Sequence, residues 1–277
     1  MKKGQTTVFI IIAIVIFAAV AGTSYIIVQN KKTDVAKEFF SSSEIKSSLN
    51  SVQINIQNCL ESASKESLQT IGIQGGLYER PLNSKDYFDL GWTFIPYYYN
   101  QGRYLMPSKQ EVEIELSKFN EKEITNCIKS VSSEGFELEY TKARSKTTIE
   151  DEQVLFEIDL PIKIKKDKHS IVYETADYPV IIPSELSAIL NIADYITETH
   201  KQDPSMYCIT CVSEMAEENE LYVDIINFQE NEMLIVISEN HISSEPYSFE
   251  FLNRYTGNEV TPLSETQGNT PTPPPLV

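Results

Sequence analysis

The sequence is short of positive charge, glycine, histidine and tryptophan. Lysine and arginine total 23 against 40 aspartates and glutamates, for a formal net charge of -17. Nucleic-acid phosphates are bound through a basic face, so this imbalance argues against a nucleic-acid partner. Glycine occurs 10 times and proline 13 times in 277 residues, and 41% of the residues are hydrophobic. That composition excludes a collagen-like repeat, wholesale disorder and a polytopic membrane protein. The Gly-x-Ser-x-Gly elbow of serine hydrolases and the His-Glu-x-x-His helix of zinc proteases are both missing. His169, His200 and His241 are scattered, and no second pair joins Cys208 and Cys211 at metal-ligand spacing, so no metal and no cofactor is expected. No Asn-x-Ser/Thr sequon is present.

What the first 32 residues hold is informative. They contain no acid, and Lys2, Lys3, Lys31 and Lys32 flank an uncharged segment from Val8 to Val28. About 20 helical residues cross a ~30 Å hydrocarbon core. A helix does so alone because it satisfies its own backbone N–H and C=O groups. Three readings compete: a permanent signal anchor, a secretory signal cleaved after Ala19-Val20-Ala21, and a prepilin-type signal. Against full removal, the segment stays apolar through Tyr25-Ile26-Ile27-Val28. The string Lys2-Lys3-Gly4-Gln5, followed directly by Thr6-Thr7-Val8-Phe9-Ile10, resembles the archaeal class III (type IV pilin-like) signal. The resemblance implies processing around Lys3, Gly4 and Gln5, with cleavage after the glycine and retention of the apolar helix. Phe9 stands where those pilins carry a glutamate that registers subunits in a filament, so the resemblance bears on anchoring more than on assembly.

The expected order is a short leader at 1–5, a transmembrane helix at 6–29, and an α+β region at 30–258. A Thr/Pro-rich tail follows at 259–277. The N-terminus is expected in the cytoplasm and the main domain outside the cell membrane, although lysines at both ends make the positive-inside count nearly balanced.

Within the α+β region, residues 30–134 read as mainly helical. Ile45, Leu49, Val52, Ile56, Cys59 and Ala63 recur at spacings of four and three. This is an amphipathic helix, either packed on its own core or extended as a stalk. Gly72, Gly75 and Gly76 end it in a turn, since no strand precedes them and no Gly-Lys-Ser/Thr follows to make a phosphate cradle. Ser108 and Glu111 form a capping box before a helix that buries Val112, Leu116 and Phe119 and runs to Cys127 and Ile128.

From Gly135 to residue 258 the chain reads as sheet-rich. Val154, Phe156, Ile158, Leu160, Ile162 and Ile164 alternate with mostly polar neighbours and predict one continuous strand. Asp167-Lys168 predicts a turn into a returning strand. Ser184 predicts a cap for a helix burying Leu186, Ile189, Leu190, Ala193 and Ile196. A short helix near Met206 to Ala216 and three late strands complete the pattern. No βαβ rhythm occurs, so the expected class is α+β with a largely antiparallel sheet and several helices. The tail Thr270-Pro271-Thr272-Pro273-Pro274-Pro275 reads as a linker or a glycosylated stalk.

Two clusters are candidates for function. Residues 87–104 are dense in aromatics, and Trp92, Tyr97, Tyr98, Tyr99 and Tyr104 either line a binding surface for proteins or glycans or fill the core. Cys59, Cys127, Cys208 and Cys211 are even in number and allow three pairings outside the cytoplasm, with Cys59–Cys127 and Cys208–Cys211 preferred. Cys208-Ile209-Thr210-Cys211 reads as a structural disulfide, a redox pair or half a zinc site. Glu214, Glu217, Glu218 and Glu220 read as a solvated helix end.

The strings Asn58-Cys59-Leu60-Glu61, Ile95-Pro96-Tyr97-Tyr98-Tyr99 and Leu105-Met106-Pro107-Ser108 resemble uncharacterised archaeal membrane-anchored surface proteins. That resemblance implies a surface protein and no catalytic residue. The expected function is thus non-catalytic: a single-pass, membrane-anchored binding or structural protein, with a minor pilin-like subunit as one form of it. Its expected partners are the lipid bilayer and other surface or pilin-like proteins or glycans. The alternative is an envelope thiol-disulfide oxidoreductase using Cys208 and Cys211.

Overall fold

A computed structural model describes residues 39–202, 208–239 and 247–255. The leader, the uncharged segment and the Thr/Pro tail lie outside the described residues. Among those described, no helix is long and apolar enough to cross a membrane.

The stripe beginning at Ile45 forms helix α1 (Ser43–Ile73). Leu49, Val52, Ile56, Cys59 and Ala63 are all buried, as an amphipathic helix packed on a core requires. Ser108 and Glu111 open helix α2 (Lys109–Ile128). The Ser108 amide donates to Glu111 Oε2 at 2.7 Å, and the Glu111 amide donates to Ser108 Oγ at 3.3 Å, so both halves of the capping box are made. These bonds to Ser108 hold the Glu111 carboxyl below its ordinary pKa.

The chain divides into two compact units. The described residues of the first are 39–61, 124–143 and 158–178. It holds the start of α1, the end of α2, and an antiparallel sheet of β4 (Glu137–Tyr140), β7 (Ile162–Lys166) and β8 (His169–Tyr173), in the order β4–β7–β8. Ile162 and Ile164 are buried, as is Phe136, while Lys163 and Lys165 point outward and pair with Glu139 on β4. The turn from β7 to β8 passes through Asp167 at φ 54°, a left-handed position that aspartate tolerates.

The remaining described residues form the second unit. Its larger sheet contains β1 (Tyr87–Asp89), β2 (Phe94–Asn100), β3 (Arg103–Tyr104), β10 (Leu221–Gln229), β11 (Glu232–Glu239) and β12 (Ser248–Arg254). The order is β1–β2–β12–β11–β10, with β3 on β2. Pairing is antiparallel except between β12 and β2, where Leu252 lies opposite Tyr97 in parallel register. A smaller sheet holds β5 (Arg144–Ile149), β6 (Gln153–Asp159) and β9 (Val180–Pro183). Helices α3 (Leu186–Gln202) and α4 (Ile209–Glu218) belong to this unit, together with the later part of α1 and the start of α2. Ile189, Ile192, Ala193 and Ile196 of α3 are buried, and so are Phe249, Phe251, Ile235 and Ile237 of the sheet.

The α+β class with antiparallel-rich sheets and several helices holds for the described residues. Two local expectations are corrected. The alternation from Val154 to Ile164 is not one strand: it breaks between Asp159 and Ile162, and β6 and β7 join different sheets. Pro161 lies in the break, where its missing N–H would cost a ladder bond. The start of α3 is served by a carboxylate from outside the helix. Buried Glu239 of β11 accepts from both Ser184 Oγ and the Glu185 amide at 2.7 Å. An anion suits the positive end of the helix dipole.

Candidate functional site: an aromatic strand and its surroundings

The aromatic run becomes β1, a tight turn and β2. Strand β2 lies inside the larger sheet and every one of its residues is buried. Tyr97, Tyr98 and Tyr99 are 1%, 0% and 3% exposed, so they are interior side chains, with Tyr97 at the wall of a groove described below. Burial between β1 and β12 decides this, and aromatic content alone cannot. Trp92, in the β1–β2 turn, is 80% exposed. Tyr104 on β3 is half-buried, and its hydroxyl donates to Asp194 Oδ1 at 2.5 Å.

The buried hydroxyls of Tyr97 and Tyr98 on β2 both have defined partners. Tyr98 donates to the carbonyl of Gly75 at 2.8 Å. Tyr97 donates to Glu232 Oε2 at 2.8 Å, and Arg254 Nη2 donates to the Tyr97 hydroxyl at 2.5 Å. Arg254 Nε closes the group on Glu232 Oε1 at 2.7 Å, and its guanidinium lies 4.2 Å from the Tyr97 ring centroid. Burial pushes the Tyr97 and Tyr98 phenols above their ordinary pKa, and at Tyr97 the bond to Glu232 adds to the rise. Both therefore stay protonated donors at neutral pH, and neither is poised to act as a base. Sequence reasoning missed the Glu232–Arg254 pair. One signal was available: no lysine or arginine occurs between Lys201 and Arg254, so Arg254 is an isolated cation in an acidic stretch.

Near β2 lies an open groove of about 350 Å³ lined by Pro96, Leu105, Met106, Pro107 and several carboxylates. Three of them, Asp86, Glu111 and Glu115, are committed. Asp86 is bound by Arg103, Asn83 and Asn100, which hold its pKa below the usual range, Arg103 most of all. Glu111 caps α2. Glu115 accepts the Tyr78 and Glu79 amides at 3.2 Å and Lys118 Nζ at 2.6 Å. Asp86 and Glu111, both held below the usual carboxylate range, are therefore weak bases, and Pro96, Leu105, Met106 and Pro107 give the groove an apolar contact surface.

The glycine cluster is a turn. Gly75 and Gly76 have φ of +52° and +79°, and a side chain at Gly75 would meet Pro96 Cγ at 2.6 Å. Cys59 and Cys127 are paired in the first unit, with Cα atoms 5.8 Å apart. Cys208 and Cys211 are paired in the second, with Cα atoms 5.2 Å apart. Cys208 is the N-cap of α4, its Sγ accepting the Cys211 amide at 3.3 Å. Among the described residues, no group of three His, Cys, Asp or Glu side chains could hold a metal ion. His169 stacks on Phe39 at 4.3 Å, and His241 lies outside the described residues. Lys3, Gly4 and Gln5 also lie outside them.

Comparison with family models, with curated proteins and with solved structures gave no match.

Proposed function

We propose that this chain is a single-pass, membrane-anchored protein whose main domain lies outside the cell membrane and serves a non-catalytic binding or structural role. The observation that carries the reading is the uncharged segment Val8–Val28, which is long enough for one crossing and lies between Lys2-Lys3 and Lys31-Lys32. The two cysteine pairs support an exterior location, because disulfides persist in oxidising compartments. The leader Lys2-Lys3-Gly4-Gln5 supports a class III, pilin-like processing route in an archaeal cell. The lipid bilayer is the first partner in this reading, with other surface or pilin-like proteins or glycans beyond it. Trp92 and the groove beside Pro96 are contact surfaces available for that role.

N-terminal sequencing of protein extracted from native membranes tests the anchor. A first residue of Gln5, or an uncleaved Met1, agrees with it, whereas a chain starting at Gly22 has lost the span and sinks the proposal.

A second reading has one observation in its favour. Cys208 sits at the N-terminus of α4, where the dipole stabilises a thiolate. A thiol-disulfide oxidoreductase would use Cys208 and Cys211 in turn. Failure of the purified, pre-reduced protein to reduce a disulfide substrate removes this alternative.

A further inference from the structure

The far edge of the larger sheet carries an observation that the aromatic strand does not explain. Among the described residues, β11 is the only strand paired with β10, so the other edge of β10 has no strand beside it. Such edges are commonly blunted by lysine or proline. Leu221–Gln229 contains neither, and its one irregularity lies at its end, between Asn227 and Gln229. Helix α4 runs near this edge and leaves an open groove of about 650 Å³ against β10. Val212 and Ala216 of α4 are buried, but Ile209 is 62% exposed, and Val223 and Ile225 of β10 are only half-buried. On the opposite face of the strand Tyr222 is also exposed. One more strand laid along β10 would therefore cover apolar side chains on both of its faces.

Charge selects the occupant. Residues 208–229 contain Glu214, Glu217, Glu218, Glu220 and Asp224 and no lysine or arginine. All five acids are exposed, and none forms an ion pair among the described residues. Glu217 and Glu220 line the groove. A second copy of this chain docking through the same edge would bring like charges together, which costs free energy. We infer that the groove between α4 and β10 takes up an extended, basic segment of a partner protein by strand addition. In this mode the β10 backbone supplies hydrogen bonds, the apolar walls supply pockets for alternate side chains, and the acidic rim supplies selectivity. The inference gives a partner chemistry to the binding role proposed above. It does not depend on where the chain is processed, so either can fail alone.

The test titrates the full-length chain, in a non-ionic detergent, into a fluorescein-labelled peptide alternating lysine and valine. Binding is followed by anisotropy, and the complex is mapped by hydrogen exchange. The expected result is saturable binding that weakens as salt is raised, with slowed exchange at the amides of Leu221–Gln229. A peptide alternating glutamate and valine does not bind. Glu217→Lys with Glu220→Lys weakens binding about tenfold. Ile209→Ser, which removes an exposed apolar wall and no charge, also weakens it, and unchanged exchange in α3 shows that each variant is folded. Equal affinity for the two peptides, unaltered binding by both variants, or slowed exchange confined to another region overturns the inference. So does protection of β10 before peptide is added: dependence on protein concentration would assign the edge to a second copy, and independence to another segment of this chain.

Discussion

Tyr97, Glu232 and Arg254 show how one residue's environment sets its role. Glu232 keeps 8% of its side-chain surface and Arg254 keeps 27%, so the carboxylate depends on the guanidinium more than the reverse. Arg254→Met leaves a buried carboxylate with only the Tyr97 hydroxyl. The expected cost is about 2 to 3 kcal/mol, below the full value for a buried pair because Arg254 is partly solvated. Chemical denaturation measures it, and adding Glu232→Met should recover much of the loss. Tyr98 makes a pH prediction. Burial holds its folded pKa above the ordinary phenol value of 10.0, so the folded state holds a proton that the unfolded state releases. That contribution is complete below pH 10 and is lost as pH rises above it. Stability should therefore fall in alkali, and Tyr98→Phe should reduce the slope. The single tryptophan, Trp92, is 80% exposed, so the native protein should emit like free tryptophan and be quenched readily by acrylamide. A blue-shifted, protected emission would contradict the exposed turn.

At the scale of elements, capping and chain reversal govern where each piece starts and stops. Gly75 lies just after α1, in left-handed backbone and against Pro96. Gly75→Ala should cost more than about 1 kcal/mol, because it adds both φ strain and a clash. The Cys59–Cys127 bridge joins α1 to α2 across 68 residues. Replacing both cysteines by alanine should lower stability by about 2 to 4 kcal/mol, if the loop-closure account of disulfides applies. Differential calorimetry with and without reductant checks it, and equal midpoints would show that the bridge adds nothing. Pro161 acts through what it lacks. By withholding one N–H it ends β6, and β7 begins anew in another sheet.

For the molecule as a whole, charge and the N-terminal segment set behaviour. A net charge of -17 makes copies of the chain repel one another, most strongly at low salt. On the proposed anchor, the full chain should sediment with membranes and resist high-salt extraction. A chain lacking residues 1–32 should stay in the aqueous fraction. Recovery of the full chain in the aqueous fraction would remove the anchor, whatever the fold of the rest.

The buried stripe of α1, the Ser108–Glu111 box, the turn at Asp167 and the apolar face of α3 were all legible in the sequence. Each rests on local spacing, and local spacing is what helical and strand geometry translate directly into burial. The partition of Val154 to Ile164 between two sheets was not legible, because alternation reports one face without saying which neighbour covers it. The same limit applied to the aromatic strand. Tyr97, Tyr98 and Tyr99 are equally good surface or core residues by type, and the parallel partner β12, more than 150 residues away, makes them core. The Glu232–Arg254–Tyr97 group and the Glu239 cap on α3 likewise join residues far apart in the chain. Sequence by itself determined the class, the helical faces and the acidic balance, since these follow from short-range periodicity and counting. Tertiary structure alone decided which aromatics are buried, which carboxylates are satisfied and, among the described residues, which strand edge has no strand beside it, since those depend on long-range pairing.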